Sequence, residues 1–212
     1  MTDQRLGPAL VAEALGTFVL VFAGCGAIVV GSLPATGVAA AFGLAIMISI
    51  YALGHVSGAH FNPAVTAAFV VGRHFPLTRV VPYWLAQVVG ALVAAAALQV
   101  SLGSVADGVT RPTGSDLQAF AWEAILTFIL VTVIVSVATD VRAVGQAAAI
   151  AIGGAVALGS LVGGPISGAS MNPARSLGPA LVSGDLDGLW IDLTAPFLGA
   201  IVAALVYGRL RS

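Results

Sequence analysis

Shifted by 110 residues against itself, without a gap, the chain repeats. "AEALGTFVL" at 12–20 falls on "WEAILTFIL" at 122–130, and "SGAHFNPA" at 57–64 falls on "SGASMNPA" at 167–174. Glu13 meets Glu123, Gly43 meets Gly153 and Asn62 meets Asn172, so the Glu-to-Asn separation is 49 residues in both halves. A run of matches at one shift marks an internal duplication, and each copy must fold in the same way as the other.

Each copy holds three long apolar stretches and one short one. The long stretches run at about 9–30, 38–56, 80–102, 118–138, 143–163 and 189–208, near the ~20 residues that a helix needs to cross a bilayer. The short ones, 63–72 and 173–182, are half a span, a length that suits re-entrant or buried segments. Composition agrees with a lipid setting: 59% of residues are hydrophobic and 8% charged, against about 25% charged in soluble domains. Mean hydropathy is +1.05.

Three spans per copy is an odd number, so the second copy must enter the membrane upside down. The expected fold is an all-α integral membrane protein of six transmembrane helices and two re-entrant half-helices, in two inverted repeats. It forms a single domain over 1–212, with repeat one at about 8–102 and repeat two at about 118–212. All eight basic residues are Arg. With both termini cytoplasmic, Arg5, Arg73, Arg79, Arg142, Arg209 and Arg211 lie inside, while Arg111 and Arg175 lie outside. That bias favours this orientation. The first span serves as an uncleaved insertion signal, and the polar N-terminus is too short for a cleaved leader. A net charge of −1 speaks against a nucleic-acid partner.

The chemistry concentrates at the two Asn-Pro-Ala triplets, Asn62-Pro63-Ala64 and Asn172-Pro173-Ala174. Asn caps a helix through its side-chain oxygen, and Pro suits the first helical position. A buried amide at membrane depth must be satisfied or face water. With its oxygen used as a cap, each Asn has an NH₂ group to direct into a polar path. Two half-helices meeting at their N-termini also place two positive dipole ends together, which repels cations and offers donors to water and neutral hydroxylated solutes.

Arg175, one turn into the second half-helix, costs about 2.5–3.5 kcal/mol in lipid and is expected to face a wet constriction as donor and cation barrier. Glu13 and Glu123 are read as the acidic residues well inside spans, each bracing the unwound backbone ahead of its half-helix. His60 and His55 flank "VSGA"; they are read as loop-bracing, with His60 also a candidate for the cytoplasmic vestibule. The partners of these His at the repeat shift are Ser170 and Pro165, which makes a metal pair unexpected. No cofactor is called for. Cys25, the single cysteine, reads as a small packing residue. Gly54/Gly58, Gly159/Gly163 and Gly164/Gly168 have the spacing that lets backbones approach closely in lipid. Nothing resembles a catalytic triad or a phosphate loop, so an enzyme is not expected.

These residues resemble the aquaporin family, the major intrinsic proteins, over nearly the whole chain. The carriers are "AEALGTF", "SGAHFNPAVT", "SGASMNPARS", the repeat and the span count. Within the family, "YALGHVSGAHFNPAVT", "SDLQAF", "ATDVRAVG" and "SLGPALV" are most similar to the nodulin-like intrinsic proteins of plants and their bacterial relatives. The resemblance implies a homotetramer with one pore per subunit, passive flow, and a cell-membrane location in a source expected to be prokaryotic. It also implies an outer selectivity filter at Phe42, Ser160, Ala169 and Arg175. Strict water channels of the family usually have His where this chain has Ser160, so a wider filter is implied here. Nodulin-like relatives often carry Trp at the Phe42 position. Ser176 and Ala180, by contrast, match water channels rather than glycerol channels, and the last span has Asp192 and Leu193 where water channels commonly have an aromatic pair.

The expected function is passive conduction of water and small uncharged solutes such as glycerol, urea, arsenite or boric acid, with ions and protons excluded. The alternatives are a strict water channel, an ion-coupled secondary transporter and a non-conducting junction protein of the same fold.

Overall fold

The computed structural model describes residues 5–139 and 147–211. Among the described residues eight α-helices follow one another: α1 (Leu6–Val30), α2 (Ala35–Ser57), α3 (Pro63–Val71), α4 (Val80–Leu102), α5 (Asp116–Thr139), α6 (Ala148–Ser167), α7 (Pro173–Ser183) and α8 (Leu189–Arg211). Six are long and apolar enough to span a bilayer. Helices are the form that satisfies every backbone polar group within one segment. The short α3 and α7 are the half-helices, and the chain is an all-α membrane fold of two inverted repeats.

Two expectations shift in detail. The span expected at 143–163 begins at Ala148 and runs through Pro165 to Ser167; its first residues and Arg142 lie outside the described residues. Helices α2 and α6 also continue to Ser57 and Ser167, so "GHVS" and "GPIS" are helical. The non-helical backbone within the membrane shrinks to 58–61 and 168–171, followed by the capping Asn.

Close backbone contacts hold the two copies together. A Cβ at Gly43 would lie 2.6 Å from the Gly153 carbonyl oxygen, and one at Gly153 would lie 2.6 Å from that of Gly43. Helices α2 and α6 therefore cross at a pair of equivalent glycines. Gly90 of α4 lies against the Ala14 carbonyl of α1, as Gly199 of α8 lies against that of Ala124 of α5. In these last helices the repeat shift is 109 residues rather than 110.

The ends of the molecule differ in charge. Arg73, His74 and Arg211 line one cavity of about 460 Å³ beside the C-terminal ends of α5 and α8. At the opposite end Arg111 pairs with Asp185 at 2.6 Å, and hydrogen bonds from Arg111 hold the Asp185 carboxyl below the usual carboxylate range.

Candidate functional site: a pore between the half-helices

Both non-helical segments take an unusual backbone course. Gly58 and Gly168 close their helices at φ 89° and 88°. Ala59, Phe61, Ala169 and Met171 follow at φ between 46° and 54°, a left-handed region that costs about 1–3 kcal/mol for a non-glycine residue. A buried carboxylate behind each segment offsets that strain. Glu13 accepts from the His60 and Phe61 backbone N–H groups at 2.9 and 2.7 Å, and from Ser57 Oγ and Gln87 Nε2 at 2.7 Å each. Glu123 accepts from Ser170 N at 2.9 Å, and from Met171 N and Ser167 Oγ at 2.7 Å each. Neither Glu lines the pore cavity described below.

The half-helices begin as capped helices should. Asn62 Oδ1 accepts from Ala64 N at 2.8 Å, and Asn172 Oδ1 accepts from Ala174 N and Arg175 N at 3.1 and 3.3 Å. Pro63 and Pro173 occupy the first helical position. The amide nitrogens reach across the repeat: Asn62 Nδ2 donates to Met171 O at 2.7 Å, and Asn172 Nδ2 donates to Phe61 O at 2.9 Å. An amide NH₂ has two hydrogens, so half of the donor capacity expected to be free is spent on this crossing. The second hydrogen remains for the cavity that both residues line. Pro63, Pro173, Ala64 and Ala174 are buried behind it.

That cavity, of about 110 Å³, has a mixed lining. Apolar side chains such as Ile46, Ile50, Ile134, Ile152 and Val156 share it with both Asn residues, residues 58–60 and 169–171, and Arg175. A second cavity, of about 400 Å³, lies beyond it and is lined by Thr110, Arg111, Gly164 and Gly168 among others. Phe42, Ser160 and Arg175 line both cavities, and Ala169 lines the inner one beside Gly168 of the outer. The four residues expected at a filter are thus gathered where the two cavities meet.

Arg175 is 2% exposed. Its guanidinium donates to Gly108 O at 3.0 Å and sits 5.0 Å from the centre of the Phe42 ring, within cation–π range. His60 lines the inner cavity, with Nδ1 3.0 Å from Thr66 Oγ1 and its ring stacked on Phe69. Among the described residues, no cluster of three or more His, Cys, Asp and Glu side chains is placed to hold a metal.

Several partners escape sequence reasoning. Gln87 supports Glu13 and also donates to Thr66 Oγ1 at 3.1 Å; its one signal is a polar residue alone in an apolar run. Ser57 and Ser167, which each donate to a Glu, fall in register in the repeat. Asp192, in the first turn of α8, is buried as well, at 3% exposed, and accepts a hydrogen bond from Thr110 Oγ1.

A family model described as "Major intrinsic protein" matches residues 2–207. The chain belongs to the major intrinsic protein family. Relatives of this major intrinsic protein include Nodulin-26 of Glycine max, 49% identical over 95% of this chain and 77% of its own length. Aquaporin NIP1-1 of Arabidopsis thaliana is 50% identical over 95% of this chain and 73% of its own length. Among solved structures, the aquaglyceroporin from Plasmodium falciparum superposes with a TM-score of 0.85 at 27% identity, covering 98% of this chain and 97% of that one. The curated relatives named here are plant proteins, so they lend no support to bacterial relatives or to the expected prokaryotic source.

Proposed function

We infer that this chain is a passive channel for water and small uncharged solutes, and that one pore runs through the single domain formed by residues 1–212. One observation carries the reading: a cavity lined by both polar and apolar side chains adjoins an outer cavity at Phe42, Ser160 and Arg175, which line both. A solute that carries both hydroxyls and carbon fits such a lining. Two facing half-helix N-termini bring together about one elementary charge of positive dipole, and Arg175 adds a full one. That field opposes cations and protons, while the Asn hydrogens and loop carbonyls replace water around a neutral solute.

Phe42, Ser160, Ala169 and Arg175 form the outer filter in this reading, Asn62 and Asn172 the midplane donors, and His60 part of the inner vestibule. Ser160 leaves room for glycerol, urea, or neutral arsenite or boric acid. An ion-coupled transporter would need a midplane site for its ion, and both oxygens of Glu13 and of Glu123 already accept hydrogen bonds. Ser176 and Ala180 favour the strict water channel as the second reading.

Stopped-flow measurements on proteoliposomes separate these readings, by comparing osmotic water flux with uptake of glycerol, urea and arsenite. Ser160→His is expected to suppress the larger solutes and spare water. Unchanged glycerol and arsenite uptake in that variant would remove the filter assignment. Uptake that depends on a proton gradient would favour the transporter.

A further inference from the structure

The connection between the two repeats, residues 103–115, lies over the outer side of the pore. Its Gly108 carbonyl accepts from Arg175 at 3.0 Å, and Thr110 and Arg111 line the outer cavity. A neighbour that holds this segment in place therefore also sets where the Arg175 guanidinium points. Several contacts fasten it. Arg111 pairs with Asp185, but both side chains are substantially exposed, and such pairs contribute little. Thr113 Oγ1 donates to Pro165 O at 2.8 Å, also at the surface. Two contacts are buried: Cys25 Sγ lies 3.7 Å from Gly108 O as a weak donor, and Thr110, two residues from Gly108, binds the buried Asp192 carboxyl through its hydroxyl.

Thr110 is one of a set of buried hydroxyls in contact with one another. Thr110 Oγ1 also lies 2.9 Å from Ser176 Oγ, and Ser176 Oγ lies 2.6 Å from Ser170 Oγ. A hydroxyl has one proton and a carboxylate only accepts. Thr110 therefore gives its proton to Asp192 and keeps its lone pairs for Ser176, while Ser170 Oγ is shared between Ser176 Oγ and the Asn172 carbonyl at 3.0 Å. Asp192 thus stands at one end of a set of buried hydroxyls that reaches a residue lining the pore cavity and includes the first turn of α7. Ser176 is the residue next to Arg175.

Repeat symmetry singles out the same residue. At the 109-residue shift of the last helices, the counterpart of Asp192 is Tyr83. The Tyr83 hydroxyl donates to Ser57 O at 2.9 Å and its ring packs beside His60. The counterparts of Ser170 and Ser176 are His60 and Thr66, which are also in contact, at 3.0 Å. The chain departs from symmetry, placing a carboxyl in α8, on the side where the connecting segment with no counterpart must be held.

We propose that Asp192 is a positioning residue for solute selectivity: through Thr110 it holds residues 103–115 so that the Gly108 carbonyl fixes Arg175, and through Ser176 and Ser170 it ties that segment to the base of α7. The proposal rests on the filter reading above. It does not touch solute itself.

The test uses the full chain in proteoliposomes, with glycerol and water fluxes measured per reconstituted channel. Asp192→Leu removes the acceptor at similar size, Thr110→Val removes the hydroxyl from the other end, and Asp192→Asn keeps an acceptor oxygen. Asp192→Leu and Thr110→Val are each expected to shift the glycerol-to-water ratio by about three- to tenfold, the scale of one lost hydrogen bond. The double variant is expected to shift it no further, as for two residues acting through one contact. Asp192→Asn is expected to recover most of the ratio. An unchanged ratio in both single variants would overturn the proposal, as would water and glycerol falling in equal proportion. A ratio in Asp192→Asn as altered as in Asp192→Leu would overturn it too. Should Asp192→Leu fail to fold, Thr110→Val and Asp192→Asn still decide. Ser160→His, measured alongside, separates the two failures: a ratio that responds to Ser160 but not to Asp192 sinks only this proposal, and one that responds to neither sinks the filter.

Discussion

Glu13 and Glu123 show how single side chains make an irregular backbone tolerable inside a membrane. Each segment ahead of a half-helix carries two non-glycine residues in left-handed conformations, and each presents two adjacent N–H groups to one carboxyl group. Replacing that carboxyl by an amide sets an NH₂ group against an N–H donor. Hydrogen bonds to charged groups contribute about 1.5–3 kcal/mol, so Glu13→Gln and Glu123→Gln are each expected to destabilise by about that amount. Thermal unfolding of the purified variants measures it, and a midpoint equal to that of the parent in both would remove the bracing role. Glu13 carries the added donation from Gln87, so the larger loss is expected there.

The two half-helices depend on what surrounds them. Helices of nine and eleven residues are marginal alone in water; α3 and α7 persist because Asn caps, Pro at the first position and burial of their first turns among longer helices act together. Their starts are joined by the two Asn amides, through Met171 O and Phe61 O, and the helices that lead into them, α2 and α6, cross at Gly43 and Gly153. A Cβ at Gly43 would also come 2.7 Å from the Ala157 Cβ. Gly43→Ala is therefore expected to force the helices apart at a cost of about 1–3 kcal/mol. Gly154→Ala is the control, since a Cβ there would meet nothing within 4 Å and Ala is the better helix former. Equal melting temperatures for the two variants would show that the crossing is looser than it looks.

The outer surface of the bundle is apolar, with Val11, Leu44, Leu85 and Ile125 all more than half exposed. Lipid covers such a face well, and so does another subunit. The family resemblance implies a homotetramer with a pore in each subunit, and the gathering of Arg73 and Arg211 at one end is the distribution expected of a cytoplasmic side. We propose both. In mild detergent the channel is expected at the native mass of a tetramer, and in sealed right-side-out vesicles its C-terminus is expected to resist added protease. A monomeric mass, or ready cleavage, would overturn the respective half of this arrangement.

Much of the architecture could be read in linear order because its causes are local or repeated. Membrane spans follow from sustained hydropathy, half-helix starts from Asn-Pro, and the inversion from an odd number of spans in a duplicated unit. The Glu-to-loop pairing was readable for the same reason, since the same offset occurs twice. Thr110, Gln87 and Asp192 were not readable. Thr110 and Asp192 are separated by 82 residues and Glu13 and Gln87 by 74, neither pair is repeated in the second half, and no periodicity marks either. The amino-acid order set which segments cross the membrane and where the backbone must break, because lipid and backbone hydrogen bonding act on every residue in the same way. Which polar atom meets which across the bundle was set by helix packing, which brings a lone buried donor to the one acceptor within its reach.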